Sequence, residues 1–258
     1  MNFSAVKSIS IFEGNVSGIA IGGVNVWSAK KKDKYTWDAV FASIDAGTYA
    51  TDYAIGDMIP LDLGTEGVVN MQIAAFDADN KADGSGKAPI SWISKELLKT
   101  SHHMNSALSG SSGAYVEGTG TIGGWEKCGM RTYLNNTIYP LIPESVRSRL
   151  VTVMKNQQAV NTAGNSEAQT TADGIWIPSS YEMFGDVLIG ETSSMPKYTG
   201  FFTSDTERKK QYIDGSAAVQ WWLRSAEHSF NFFHVQYNGQ KFSNDPSRKY
   251  GIALCFCT

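Results

Sequence analysis

Short runs in which apolar and polar residues alternate, a pattern typical of β-strands, begin at the N-terminus of the chain. Residues 6–12 alternate in this way, and the apolar runs 19–21 and 24–27 flank a Gly22-Gly23 turn. So short a segment is too small to bury a core of its own. The pattern therefore predicts a small N-terminal β module over residues 1–29 that packs on the rest of the chain, on a partner or on copies of itself.

A second group of predicted strands lies toward the C-terminus. Asn238-Gly239 separates two β-prone runs at 230–237 and 240–243, and Asn-Gly is the strongest short-range signal for a hairpin. Residues 57–63 lead into a further strand predicted over residues 68–76, and another strand is predicted over 251–256.

Helical patterns are short and lie mainly in the middle of the chain. Pro143 begins one predicted helix, at a position where its missing N–H costs no hydrogen bond. The apolar residues at helical spacing that continue this helix are Val146, Leu150, Val153 and Met154. Ser179 and Glu182 form the capping box of a short helix that ends near Gly185. The other predicted helices cover residues 37–44, 90–104 and 130–138.

The order of these elements predicts the fold class and a division into two domains. Helices placed between β-rich ends predict an α+β fold rather than alternating βαβ units. The polar stretches 106–120 and 157–173 have the composition of long surface loops. The lysine-rich run 30–34 is typical of a solvated linker, so a main domain is expected over residues 35–258.

Composition and charge exclude several classes of protein. The chain is 42% hydrophobic and 12% aromatic with 25 glycines, but only 18% charged, against about 25% in an average soluble protein. Helical bundles, coiled coils and disordered chains have the opposite bias. A formal net charge of −3 gives no electrostatic footprint for nucleic acid. No apolar run reaches the ~18 residues of a membrane span, so no membrane insertion is expected.

The cysteines and the N-terminus predict synthesis in a reducing cytoplasm. Cys128, Cys255 and Cys257 are odd in number, and the last two are separated by one residue, which is not a disulfide framework. On a strand Cys255 and Cys257 would share a face, as buried free thiols. Residues 1–15 have no uninterrupted apolar region and no cleavage site, so no signal peptide is predicted.

Two motifs resemble ligand loops but fit them poorly. Gly118, Gly120 and Gly123 match G-x-G-x-x-G, yet a polar loop precedes them instead of a buried strand, which indicates a plain glycine-rich loop. Asp77 and Asp79 lie near Asp83-Gly84, but their spacing does not follow the register of a calcium loop. A solvated acidic turn is predicted there, and a calcium site of another geometry stays open.

The histidines do not have the spacing of a metal site. His102 and His103 are adjacent, and His228 and His234 are six residues apart, whereas a zinc site on a helix needs positions i and i+4. No nucleophile elbow and no phosphate-binding loop occurs in the sequence. The sequence therefore predicts no metal, no cofactor and no catalytic residues.

Aromatic residues are concentrated at the C-terminus. Nine of them lie in the last 38 residues, about twice the density of the rest of the chain, among many amide and hydroxyl side chains. Rigid rings interleaved with adaptable hydrogen-bonding groups are typical of a binding surface. A sheet core followed by a polar turn explains Trp221, Trp222 and Leu254 equally well. It explains the run 230–237 less well, because rings and imidazoles there fall on both faces of a strand.

The C-terminal residues resemble the end of a C-type-lectin-like domain. The matching motifs are Trp221-Trp222-Leu223-Arg224-Ser225, Phe232, Val235, Gly239 and Tyr250-Gly251-Ile252-Ala253-Leu254. Earlier blocks agree, namely Ala46-Gly47, Gly56-Asp57, Ala75-Phe76-Asp77, Trp92-Ile93-Ser94, His103-Met104-Asn105, Gly123-Gly124-Trp125, Met130-Arg131-Thr132-Tyr133-Leu134-Asn135 and Trp176-Ile177-Pro178-Ser179. The resemblance is to the subgroup found in phage and prophage proteins of gut bacteria, which is related in fold to formylglycine-generating enzymes.

This resemblance implies a fixed framework and a variable ligand-facing set within a C-terminal region, 221–258. Several members of the group are variable proteins of diversity-generating retroelements, in which C-terminal codons are rewritten. The framework would comprise residues 221–225 and 251–256 with Phe232, Val235 and Gly239. The expected ligand-binding residues are Glu227, His228, Ser229, Asn231, Phe233, His234, Gln236, Tyr237, Asn238, Gln240, Phe242, Asn244, Asp245, Ser247 and Arg248.

Three functions follow as hypotheses from the sequence and the resemblance. The first is a tail-associated receptor-binding protein of the virion, not an enzyme, that grips a host cell-surface protein or glycan through exposed rings such as Phe233, His234 and Tyr237. Its other partners would be phage tail proteins and copies of itself. The second is an enzyme of the formylglycine-generating type that uses Cys255 or Cys257. The third is a purely structural tail component.

Overall fold

The chain divides into two compact units, Met1–Lys34 and Tyr35–Thr258. The computed structural model describes residues 18–21, 24–28, 33–106, 120–198, 204–228 and 230–258. Within the first unit, β1 (Gly18–Ile21) and β2 (Val24–Ser28) form an antiparallel pair with a register shift between Ile19 and Ala20. The strand predicted over residues 6–12 lies outside the described residues.

The second unit is a mixture of α and β structure, in which the helices of the described residues are short. Its strands are β3 (Met58–Asp62), β4 (Val68–Phe76), β5 (Ile90–Ser94), β6 (His102–His103), β7 (Val153–Val160), β8 (Ser166–Asp173), β9 (Ile175–Trp176), β10 (Trp221–His228), β11 (Asn231–Val235), β12 (Lys241–Asn244), β13 (Lys249–Tyr250) and β14 (Cys255–Cys257). Its α-helices are α1 (Trp37–Ala46), α2 (Tyr49–Asp52), α3 (Gly124–Lys127), α4 (Gly129–Tyr133), α5 (Glu144–Arg147), α6 (Ser180–Phe184) and α7 (Asp205–Arg208).

The largest sheet has the strand order β3-β4-β5-β14-β9 and is antiparallel throughout. The C-terminal strand β14 therefore lies inside this sheet, between β5 and β9, and every residue of β14 is buried. Trp92 on β5 is fully buried, and its indole Nε1 donates to Thr258 Oγ1 at 2.9 Å. The chain's last residues are thus part of the core and not a tail.

The helix predicted over residues 90–104 is wrong. Ile90–Ser94 forms strand β5, and all five of its residues are buried. A strand paired on both sides and covered on both faces reads as a continuous apolar run, which periodicity alone does not separate from a buried helix. The residues after β5, up to the short strand β6, make no helix.

The surface loop predicted over residues 157–173 is also wrong, because β7 and β8 form a regular antiparallel hairpin there. Gln157 and Gln158 are buried on β7 and use their amides as hydrogen-bond partners within the fold. The composition of a loop therefore comes from buried polar residues on β7 together with the mostly exposed or partly buried residues of β8. Of the other predicted loop, residues 107–119 lie outside the described part of the chain.

The remaining helix predictions are confirmed in part. The helix over 37–44 is α1, which Thr36 caps and Gly47 ends in a left-handed conformation. The capping box of Ser179 and Glu182 is present before α6, which ends at Gly185 as predicted. The helix over 130–138 is α4 followed by a turn of π-helix, Leu134–Ile138.

The helix that begins after Pro143 is shorter than the sequence predicts. Only Glu144–Arg147 is helical, and Val153 and Met154 belong to β7. The apolar residues at helical spacing are instead distributed over a helix, a turn and the start of a strand.

A second sheet, with the order β10-β11-β12, carries the C-terminal hairpin. The hairpin predicted around Asn238-Gly239 is confirmed: β11 and β12 pair without a register shift, and Gln236 N donates to Gln240 O at 2.8 Å across the turn. Of the strand predicted over residues 251–256, only the end belongs to β14. The carbonyl oxygens of Ile252 and Leu254 still accept hydrogen bonds from the backbone N–H groups of Leu98 and Ser94. No helix in the described ranges is long and apolar enough to cross a bilayer.

The turn of this hairpin packs tightly against α7, which gives a first prediction. Gly239 has a φ of +91°, and a Cβ there would lie 1.7 Å from the Asp205 carbonyl oxygen. Gly239→Ala is therefore expected to lower the free energy of unfolding by clearly more than Gly215→Ala, measured by urea denaturation. Gly215 has a similar φ of +76° but nothing within 4 Å, so its variant reports the left-handed strain alone, about 1–2 kcal/mol. Equal losses in the two variants would contradict the close packing.

Candidate functional site

Strand β10 leads into the predicted site and is buried at its first six positions. Because alternate residues of a strand point to opposite faces, burial at every position means that both faces are covered. The indole Nε1 of Trp221 donates to Arg208 O at 3.1 Å, and that of Trp222 donates to His102 O at 3.0 Å. Both large rings are thus fixed by packing and by a hydrogen bond, so β10 is a rigid support for the β11–β12 hairpin.

Arg224 on β10 is completely buried and uses its whole guanidinium group. Nη1 and Nη2 donate to the two carboxylate oxygens of Glu182 at 2.6 and 3.0 Å. Nη1 also donates to Ile177 O, Nη2 to Asn156 O and Nε to Gln157 Oε1. These bonds join β10 to α6 and β7, because Glu182 lies on α6 and residues 156 and 157 lie on β7.

Lys155 extends the same network to the other side of Glu182. Its Nζ lies 2.5 Å from Glu182 Oε1 and 2.6 Å from Asp79 Oδ1, and both Lys155 and Asp79 are about 1% exposed. The ammonium group also lies 4.4 Å from the centroid of the Trp176 ring. Asp79 Oδ2 accepts from Ser91 Oγ at 2.6 Å and from the Tyr198 hydroxyl at 3.2 Å. We call Asp79, Lys155, Glu182 and Arg224 the buried ion network.

The network is balanced, with two cations and two carboxylates, and its charges favour the ionised forms of Glu182 and Lys155. Burial opposes the charge on Glu182, but Arg224 and Lys155 outweigh it and lower the pKa of Glu182. Burial likewise opposes the ammonium of Lys155, yet Asp79 and Glu182 raise the pKa of Lys155 above its usual value. Since each charge compensates a neighbour, loss of one member leaves another buried and unpaired.

Asp79 does not lie in the solvated acidic turn that the sequence predicts. It is buried and paired with Lys155, so that prediction is wrong for Asp79, because its partner is 76 residues away along the chain. Asp83 is exposed, as expected. In the described part of the chain no group of three or more His, Cys, Asp or Glu side chains is placed to hold a metal ion. A cavity of about 90 Å³ lies over the Asp79–Lys155 pair.

The two faces of the β11–β12 hairpin carry different residues, because directly opposed residues of antiparallel strands share a face. One face, here called the Phe242 face, contains the opposed pairs His234 with Phe242 and Trp222 with His234. The other face contains Phe233 and Val235, with Lys241 opposed to Val235. On that second face the Lys241 ammonium lies 4.5 Å from the Phe233 centroid and 2.6 Å from Asp186 Oδ2.

Three rings of the C-terminal region are more than half exposed. They are Phe230 at 57%, Tyr237 at 57% and Phe242 at 58%. Phe230 and Tyr237 lie at opposite ends of β11, in the turns that precede and follow it, and Phe242 lies on β12 opposite His234. The exposed rings thus surround the hairpin and do not form one compact patch.

Phe233 and His234 are not exposed, contrary to expectation. Phe233 is 9% exposed and His234 only 2%. Lys241 covers the first ring, and Trp222, Phe242 and Tyr250 surround the second at centroid distances of 5.8, 6.0 and 4.9 Å. The prediction of exposed rings is wrong at these two positions because the hairpin is covered on much of both faces.

The other residues of the predicted set are at the surface to differing degrees. Those that are exposed are His228, Gln240 and Arg248. Those that are partly buried are Glu227, Asn231, Gln236, Asn238, Asn244, Asp245 and Ser247. Ser229 lies outside the described residues. Asn231 Nδ2 links Glu227 Oε2 and Ser243 Oγ at 3.3 and 3.4 Å, so the start of the hairpin is held by its own polar side chains.

The cysteines are free and buried, as predicted. Burial raises the pKa of Cys255 and of Cys257 well above the usual value for a thiol, with Glu182 adding to the rise at Cys255 and Asp79 at Cys257. A reactive thiol needs access and a lowered pKa, and neither thiol has them.

Sequence reasoning missed the buried ion network and an aromatic group beside the hairpin. His102 stacks on Tyr133 with centroids 4.1 Å apart, and β6 pairs with β13 so that His102 is opposed to Tyr250. The only signals in the sequence are an arginine in the apolar run Trp221–Ala226 and an aspartate after the buried strand β4. A charge that interrupts an apolar run indicates a buried partner but does not identify it.

The network generates a second prediction. Arg224→Met leaves Glu182 short of one cation in a fully buried position, so we expect a loss of about 3–5 kcal/mol in the free energy of unfolding. The double variant Arg224→Met with Glu182→Met should lose less stability than the sum of the two single variants. It removes both partners of one ion pair, and Lys155 stays paired with Asp79. Urea denaturation of the four proteins measures this, and additive losses would contradict the coupling.

The burial of His234 generates a third prediction. Desolvation lowers the pKa of His234 to about 4, against about 6.5 in an unfolded chain. Below pH 6.5 the unfolded chain takes up a proton that the folded protein does not, so stability should fall as the pH falls from about 6.5 to about 4. His234→Phe should weaken this dependence, measured by urea denaturation at pH 7 and pH 5. His228→Gln, at an exposed position of the same hairpin, should keep it, and an unchanged slope in His234→Phe would contradict the assignment.

Comparison with known proteins places this region in a family. A family model described as "Domain of unknown function (DUF6273)" matches residues 97–257, a range that contains the hairpin and the whole buried ion network except Asp79. No curated protein and no solved structure matches the chain. Since the family model covers more than half of the chain, the protein belongs to the DUF6273 family.

Proposed function

We propose that this chain is a ligand-binding protein with a C-type-lectin-like domain, whose C-terminal hairpin binds a ligand on a host cell surface. The observation that carries this proposal is the contrast between β10, buried at six consecutive positions, and the three half-exposed rings that come after it in the chain. A rigid support that presents large rings to solvent loses little conformational entropy on binding.

The anchoring of the hairpin supports the same proposal. Arg208 Nε donates to Gly239 O at one end of β11, and Gln158 Nε2 donates to Glu227 O near the other end. Both ends of this segment are therefore fixed to the body of the domain, so its exposed side chains can differ without loss of the fold. This arrangement suits a surface that changes its ligand while its framework stays the same.

The biological setting is part of the proposal and rests on the resemblance. The protein would be a tail-associated receptor-binding component of a phage or prophage virion, with a host protein or glycan as ligand. Other tail proteins, and copies of the chain itself, would be its structural partners. A single weak face would gain apparent affinity in such an assembly, because a second contact becomes intramolecular. Rewriting of codons by a retroelement would supply the variation at the hairpin.

The alternatives from the sequence receive less support. An enzyme of the formylglycine-generating type needs a reactive thiol, and Cys255 and Cys257 are both 0% exposed with raised pKa values. A purely structural tail component has no use for three large rings in solvent around a fixed hairpin. Neither alternative has an observation of its own in its favour.

The proposal predicts that binding and stability are separable at the exposed rings. Phe230→Ala, Tyr237→Ala and Phe242→Ala should each weaken binding of the full chain to cells of the bacterial host by about tenfold or more, as expected for aromatic anchors. Since each ring is more than half exposed, the midpoint of thermal unfolding should stay near that of the wild type. Flow cytometry with labelled protein and thermal denaturation measure the two quantities.

Matched controls are exposed apolar residues elsewhere in the same unit. Val68, at 53% exposure, and Val187, at 70%, lie outside the C-terminal region, so Val68→Ala and Val187→Ala should leave cell binding unchanged. Cell binding that survives all three ring variants would refute the proposed function. Unfolding of those variants would show that the rings belong to the core.

A further inference from the structure

We propose that the ligand-binding surface continues from Phe242 across β13 and β6 to α4, and that it takes an acidic polysaccharide. This inference deepens the proposed function and rests on it, since it assigns the class of ligand and adds residues from outside the C-terminal region. We call the surface the ring row.

The ring row is a series of aromatic and imidazole rings in which ring contacts and one strand pairing link each member to the next. From Phe242 the centroid distance to His234 is 6.0 Å, and from His234 to Tyr250 it is 4.9 Å. Tyr250 is opposed to His102 in the β13–β6 pair, and His102 stacks on Tyr133 with an interplanar angle of 13°. The series therefore crosses three separate segments of the chain and joins them in one surface.

Exposure along the row is graded in a way that suits contact with a ligand. Phe242 is exposed, whereas His102, His103, Tyr133 and Tyr250 are each partly buried. Beneath them lie Trp222 and His234, which are almost completely buried and contact Tyr250 at 4.6 and 4.9 Å. Rings held from below and open above lose little rotamer freedom when a ligand covers them.

Hydrogen-bonding groups and cations border the rings. Asn244 Nδ2 donates to the Tyr250 hydroxyl at 2.8 Å, and Asn244 Oδ1 accepts from Asp245 N. These two hydrogen bonds fix the Asn244 side chain beside the row. Arg248 and Lys249 are both exposed and directly precede Tyr250. Lys249 is opposed to His103 in the β13–β6 pair, which places the Lys249 charge beside the row.

The titratable groups that face the row leave it with a net positive edge. Asp245 is partly buried, and its Oδ1 accepts from Ser247 N at 2.8 Å. Glu66, which acts on Tyr133, is buried and accepts both hydrogen bonds from Thr100. The exposed charges at the row are thus Arg248 and Lys249, so an anionic ligand is complementary to it.

This combination of rings, an amide and two cations selects one class of ligand. Pyranose rings have C–H groups on one face, which pack on aromatic rings, and hydroxyls at their rim, which bond amides and imidazoles. A carboxylate on the sugar would reach Arg248 or Lys249. Nucleic acid fits poorly, because tight binding uses about 6–10 phosphate contacts, and the protein carries a net charge of −3.

The test measures binding of the full chain to three acidic polysaccharides, hyaluronan, polysialic acid and polygalacturonate, and to each polymer after carboxyl reduction. At least one acidic polymer should bind, more weakly as salt increases, and its reduced form should bind about tenfold less well or worse. The double variant Arg248→Gln with Lys249→Gln should lose about tenfold in affinity, and so should Tyr133→Ala. Binding should also raise the pKa of His103, followed by NMR, because a carboxylate favours the imidazolium.

A charge-matched control is Lys87→Gln with Lys95→Gln, which removes two exposed lysines outside the row and should leave affinity unchanged. Equal binding of native and reduced polymers, equal losses in the two double variants, or no binding of any of the three polymers would overturn the inference. The proposed function would survive such a result if Phe242→Ala still abolished cell binding. If none of the ring variants loses cell binding, the proposed function itself is wrong.

Discussion

The fold depends on the buried ion network, because it joins four parts of the chain that are far apart in sequence. Asp79 follows β4, Lys155 lies on β7, Glu182 lies on α6 and Arg224 lies on β10. Each charge is desolvated, so each needs the others in place, and a partial network is worse than an apolar core. This requirement favours one arrangement of β7, α6 and β10. Apolar contacts alone would also allow arrangements in which these elements are shifted relative to one another.

The position of the C-terminal hairpin depends on that arrangement. Arg224 fixes β10 from inside, so the hairpin that continues from β10 begins at a defined place and direction. The C-terminal strand β14 then returns into the centre of the largest sheet, next to β5. Residues 230–250 therefore form a segment that lies between two parts of the chain held in the core. A segment of this kind tolerates changes at its exposed positions, because the residues before and after it determine its geometry.

The sequence predicts elements well where a local signal decides them, and poorly where distant partners do. Thr36 and Gly47 bound α1, Ser179 and Glu182 cap α6, and Asn238-Gly239 forms a turn, since each depends on neighbours in the chain. The strand at Ile90–Ser94 and the hairpin of β7 and β8 were missed, because burial by β4, β14 and other distant segments determines both. Lys155 and Asp79 give no local sign of their pairing.

For the candidate site, the sequence predicts a segment rich in aromatic residues but not which of those rings are accessible. Composition identifies an excess of aromatic residues, but the pairing register decides their faces. Phe233 and His234 are adjacent and point to opposite faces, and Lys241 covers one while Phe242 and Tyr250 cover the other. Part of the aromatic excess therefore serves to hold the hairpin, and only Phe230, Tyr237 and Phe242 remain largely in solvent. If the hairpin binds a ligand as we propose, the buried rings assist the exposed ones, because a ring that is fixed before binding contributes its contact area without a further loss of entropy.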